Sequence, residues 1–159
     1  PQNFDYVVAD WHDYHHPADL VFISQLPTLT AADLPAITQL ATKAVAINHQ
    51  IEQTDALLNQ CFAWLQQPVP SVYQADPALM ASYHQWLHTH HMHFQQQFFY
   101  YTRTETVTIA ELALELGQPL TTSQVKAMTK AMTGQADVNH ELDDHITYGF
   151  ELLTWSTDE

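Results

Sequence analysis

DPALMASYHQWLHTHHMHFQQQFFYYTR, from Asp76 to Arg103, is the stretch on which the fold turns. Asp76-Pro77 reads as a helix start, because the carboxylate can accept from the first free N–H groups and proline at the first helical position has no N–H to waste. At about 100° per residue, Leu79, Tyr83, Trp86, Leu87, His90, Phe94, Phe98 and Tyr101 share one face, which predicts one amphipathic helix over the whole stretch. His90 lies inside that stripe, His84 and His88 pair on the polar side, and His91 and His93 sit at its edges.

Upstream, Thr30 to Asp33 forms a capping-box variant. A second long helix is predicted from there, with Ile37, Leu40, Ala44, Ile47, Ile51, Leu58, Phe62 and Leu65 on its stripe, until Pro68-Val69-Pro70 stops it. Asn48, Glu52 and Asp55 interrupt the stripe from within, where an ionised carboxylate needs a counter-charge or a donor. Asp19 to Leu26 reads as a short apolar segment ended by Pro27. Residues 4–11 fit a short strand or an ordered arm, and His12-Asp13-Tyr14-His15-His16 fits a solvated turn.

Downstream, Thr108 and Glu111 form a capping box for a short helix closed by Gly117. Another helix starts at Thr122 or Ser123, and Gly134 breaks it. Val138, Leu142, Ile146, Gly149, Phe150 and Leu153 predict a closing amphipathic helix, with a strand over 145–155 as the competing reading. The expected fold is therefore mainly α: one helical domain over 1–159, with an N-terminal arm and short segment at 1–29, a long helical hairpin at 30–103 and shorter helices at 104–159.

The formal charge of −14 arises from 18 acidic residues set against only four Lys plus Arg. Such a surface repels nucleic acid and anionic lipid, so neither is an expected partner. One cysteine, Cys61, rules out an intrachain disulfide framework and fits a reducing compartment. With no long apolar run and no signal-peptide layout at the N-terminus, cytoplasmic residence is the expectation.

Eleven histidines raise the question of a metal. On the bundle reading the inward candidates are Glu52, Asp55 and His90, with His145 at the edge of the last stripe, a donor set suited to a divalent transition metal. The linear order of His12, His49 with Glu52, His84 with His88, and His140 with Asp144 resembles the ligand order of hemerythrin-like bundles. It departs from them in that His49 and Glu52 are three apart rather than four, and in that His84 and His88 face away from the stripe. Residues 109–132 resemble a helix-turn-helix, but the second helix lacks the Arg or Asn that addresses base edges. Neither a nucleophile elbow nor a phosphate loop is present. The leading expectation is thus a non-catalytic interaction or regulatory protein that binds a protein partner or itself. Its motive is that Trp64, Phe99, Tyr100 and Trp155 fall off the stripes and need a second burial partner. A metal-binding bundle and a helix-turn-helix regulator are the alternatives.

Overall fold

The Asp76–Arg103 stretch is not one helix. In the computed structural model, which describes residues 7–157, the Asp76 carboxylate accepts from the Leu79 N–H at 2.9 Å and opens a helix over Pro77–Thr89, as expected. The helix then closes at His91, whose φ of 57° lies in the left-handed region. The Met92 N–H donates to the Leu87 carbonyl and the His91 N–H to that of His88, which satisfies the last turn. Beyond this stop the chain is extended from Phe94 to Thr108.

The mainly α bundle gives way to an α/β fold with four strands and five α-helices among the described residues. In chain order the elements are β1 (Ala18–Ser24), α1 (Leu34–Leu40), β2 (Ala41–Asp55), α2 (Ala56–Trp64), α3 (Pro77–Thr89), β3 (Phe94–Thr108), α4 (Ile109–Glu115), α5 (Thr122–Thr133) and β4 (Glu141–Ser156). The sheet order is β1-β2-β4-β3, with β1 parallel to β2 and β4 antiparallel to both its neighbours. Each strand mistaken for helix has a period-2 reading as well: Val45, Ile47, His49 and Ile51 alternate along β2, and β3 and β4 are rich in Thr, Tyr and Phe, which fit a pleated surface. In β4 the competing strand reading is the one the fold adopts. Gly149 sits mid-strand because a Cβ there would lie 2.7 Å from the Tyr100 ring on β3 and 3.1 Å from the Glu52 Cβ on β2.

Several local expectations survive the change of class. Thr30 and Asp33 form their capping box, though the helix they introduce ends at Leu40. Thr108 and Glu111 cap α4, and Gly134, at φ 76°, closes α5. In the N-terminal segment, Phe4 to Tyr6 lie outside the described residues, Val7 to Asp10 form no regular element, and Trp11–Asp13 is a single 3-10 turn.

Two cores flank the sheet at opposite ends and on opposite faces. At one end α1 and α3 cover the face that carries Val45 and Ile47 of β2 and Leu153 and Trp155 of β4, with Leu34, Ile37, Met80, Tyr83 and Leu87 filling the space between. The Tyr83 hydroxyl donates to the Leu29 carbonyl at 2.7 Å, so its burial leaves no orphan donor. At the far end α2, α4 and α5 enclose Cys61, Phe62, Ile109, Leu112 and Met128 above Val107 and Leu142, which belong to the other face. Burial pushes the Cys61 thiol up to about 11, so it packs as an inert apolar group.

Candidate interaction surface

Because the cores are offset, each face of the sheet has one uncovered end, and the two ends differ in chemistry. Where the first face is bare it is polar beyond the exposed Phe98 and Tyr100 rings: Thr102 meets Thr147 at 3.0 Å and Thr104 meets the His145 ring at 3.0 Å across β3 and β4. Threonine and histidine are ordinary partners for water. The bare end of the second face instead carries Phe22, Ala46, Leu152, Phe150, Tyr148, Phe99 and Tyr101, with uncharged Asn, Gln, Ser and Thr among them and Arg103 at its border. Tyr101 stacks on Tyr148 with ring centroids 5.0 Å apart and on Phe150 at 5.8 Å, which holds the row in one orientation.

This face ends at β3, which pairs only with β4 among the described residues and so presents a free row of backbone donors and acceptors. Side chains alternate between faces along a strand, so Phe98 and Tyr100 project to one side and Phe99 and Tyr101 to the other. None is covered: their exposures are 46%, 59%, 43% and 54%. From Phe94 to Thr102 the strand has no charge, no proline and no glycine, the features that normally guard an edge. Phe99 and Tyr100, which fall off the helical stripe, are exposed. Phe98 and Tyr101, assigned to a buried helical stripe, are exposed too. The other two off-stripe residues differ: Trp155 is 2% exposed in the first core, and Trp64 is partly buried against the second.

The expected metal residues do not converge. Glu52 is exposed beside Gly149 on the first face. Asp55 is on the opposite face, where it caps α2 by accepting from the Leu58 N–H at 2.8 Å. His90 is exposed at the end of α3, its ring stacked on Trp86 and its Nδ1 2.8 Å from the Trp86 carbonyl oxygen. His145 is exposed on β4 beside Thr104. Among the described residues no group of three His, Cys, Asp or Glu could hold a metal ion, which corrects the metal-binding expectation. The hemerythrin-like ligand order fails for the same reason, since His49 and Glu52 lie on a strand and His84 binds Glu151. Inward-pointing ligands need helices, whereas Glu52, Asp55 and His145 lie on strands that send alternate residues to opposite faces and His90 sits at the end of α3.

Two buried polar clusters replace that site. Glu151, 3% exposed, meets His84 of α3 with Oε1 and Nε2 2.5 Å apart, and the His84 ring stacks on Phe94 at the start of β3. His49 is paired with Glu151 across β2 and β4, and its buried Nε2 has no hydrogen-bond partner among the described residues. Burial holds the His49 ring below its ordinary pKa, with Asp76 opposing the shift. At the far end buried Asp144 accepts from the Leu57 N–H at 3.0 Å and shares a hydrogen bond with Asp55. Burial first, then that bond and the Asp144 and Glu115 charges, push the Asp55 carboxyl up to about 6 against the Leu58 N–H.

A carboxyl raised above its unfolded value near 3.8 favours the fold while protonated. Its contribution is complete below that value and is lost as pH rises through about 6. Asp55 is partly exposed, so screening reduces the effect to about 1 kcal/mol, or roughly 2–4 °C in Tm. His49 acts in the opposite sense, losing its contribution as pH falls below its ordinary value. The expected result is therefore read as a difference: wild type gains Tm over Asp55→Asn as pH falls from 7.5 to 4.5. Parallel Tm curves for the two proteins would mean that no shared proton forms.

The geometry defines an α/β protein whose described residues form a four-stranded mixed sheet with an uncovered aromatic edge at β3. No protein-family model matches the chain, and no curated protein matches it. No helix among the described residues is long and apolar enough to cross a membrane.

Proposed function

We propose that this protein is a non-catalytic interaction module that receives an extended protein segment along β3, as an added strand. The observation that carries this reading is the uncovered, uncharged Phe98–Tyr101 edge, which adjoins an equally apolar bare face. Strand addition supplies main-chain hydrogen bonds to the free edge, while the aromatic rings on either side supply apolar contact. A hollow of about 490 Å³ between the N-terminal segment and α1 is lined mainly by apolar groups such as Trp11, Phe22 and Ile37. The Asp10 carboxylate on its wall is engaged by the His12 N–H at 3.0 Å and by the His12 ring at 2.6 Å.

The test is a photoreactive benzoylphenylalanine at position 99, compared with the same group at Leu114, which is 85% exposed on α4. Irradiation in the native cells is expected to give discrete protein adducts from position 99 and none from 114. Equal adduct patterns from the two positions would sink the reading.

A further inference from the structure

We infer that the strand received by β3 is the β3 of a second copy of this chain, added antiparallel about Phe99. This rests on the reading of β3 as a receiving edge and goes on to name the occupant. The argument begins with charge. A chain of net charge −14 repels its own copies, so self-contact is confined to surface free of acidic groups. Between Asp76 and Glu105 there is no Asp or Glu, while the same span holds His84, His88, His90, His91, His93 and Arg103. That span is α3 and the exposed part of β3. A strongly basic partner would be drawn to the acidic surface elsewhere. An acid-free edge on an acidic protein suits a partner of like charge that has the same kind of edge.

The second step is register. A two-fold axis perpendicular to the sheet keeps each face continuous, so residues opposite each other must come from the same face. Centring on Phe99 meets this condition: Phe99 opposes its mate, Phe98 opposes Tyr100, Gln97 opposes Tyr101 and Gln95 opposes Arg103. The same register sets His93 of one copy against Glu105 of the other, so the histidine-rich end of each strand meets the acidic end of its partner. Within one copy Glu105 is already engaged by Arg103, and Asp144 lies opposite it on β4. A shift of two residues one way sets His93 against Arg103, and two residues the other way sets it against Val107. The Phe99 register is therefore the one that pairs unlike polar ends. It also extends the row formed by Phe150 and Phe99 across the axis into the second copy.

The experiment uses the full chain. Sedimentation velocity across the micromolar range is expected to show a dimer that Phe99→Lys converts to a monomer with an unchanged circular dichroism spectrum. Register is read independently with cysteines, since native Cys61 is buried and does not compete. Phe99→Cys places two thiols face to face on the axis, within reach of a disulfide or a short thiol crosslinker. Gln95→Cys places its two thiols about 27 Å apart at the ordinary strand rise. Phe99→Cys should crosslink at least tenfold faster than Gln95→Cys, and Gln95→Cys should link efficiently only when mixed with Arg103→Cys. A wild-type monomer throughout the range overturns the inference. So does a dimer in which Phe99→Lys has no effect and the two cysteines react alike. If position 99 nevertheless photocrosslinks to a different protein, the edge still receives a strand and only the self-pairing falls.

Discussion

Replacing Trp155 by alanine is expected to cost about 3–5 kcal/mol, the range for deleting a buried aromatic side chain. At roughly 2–4 °C per kcal/mol for a chain of this length, Tm should fall by about 6–20 °C. Trp155 is enclosed with Ile37, Val45 and Leu87 in the first core, and its Nε1–H donates to the Thr38 hydroxyl at 3.3 Å, so truncation removes both packing and a tie to α1. The substitution also separates two folds. On a closing helix Trp155 lies off the apolar stripe, and an exposed position tolerates alanine within about 0.5 kcal/mol. A thermal melt that moves by only a degree or two would remove Trp155 from the core and the C-terminal strand with it.

The second large effect is expected from His84→Ala. Glu151 is almost wholly buried, and its close polar contact is the His84 ring. Removing one partner of a buried pair leaves the other charge uncompensated, at about 3–5 kcal/mol. His84 is itself partly exposed, so water can reach the vacated position and the lower end of that range is expected. Adding Glu151→Gln should restore much of the lost stability, because a buried neutral amide costs less than a lone carboxylate. The coupling between the two changes, measured by denaturant unfolding of both singles and the double, checks this. Strict additivity would show that the pair does not compensate Glu151. Loss of the His84 ring also removes the stack on Phe94, so the first residues of β3 should exchange their amide hydrogens faster in the variant.

Histidine and glutamine explain why the helix boundaries were hard to read. The chain has three glycines, and it closes α3 at His91 and α2 at Gln66 with positive φ values that are uncommon outside glycine. Without glycine to mark the stops, an apolar stripe at helical spacing continues through both boundaries and into the neighbouring strands. The stripe over residues 79–101 is therefore half correct: Tyr83 and Leu87 are core residues on α3, while Phe98 and Tyr101 belong to an exposed strand and face opposite ways. The metal candidates are dispersed for the same reason, since Glu52 and Asp55 share a helical face but lie on opposite faces of β2. The marking of Phe99 and Tyr100 as short of a burial partner rests on the same helical spacing, which is why it omits the equally exposed Phe98 and Tyr101 and includes the buried Trp155.

The sequence by itself determined the features whose partners lie within a few residues. These are the caps at Asp76, Thr30 and Thr108, the left-handed stop at Gly134, the acidic balance, and the acid-free span from Pro77 to Thr104. Only the tertiary structure decided that residues 41–55, 94–108 and 141–156 are strands, because each carries apolar residues at both spacings. Strand pairing sets Val45 against Trp155 and Phe99 against Phe150, partners that no local pattern can supply. The exposed aromatic edge was settled in the same way: β3 pairs with β4 on one side, and the offset of the two cores leaves its other side bare.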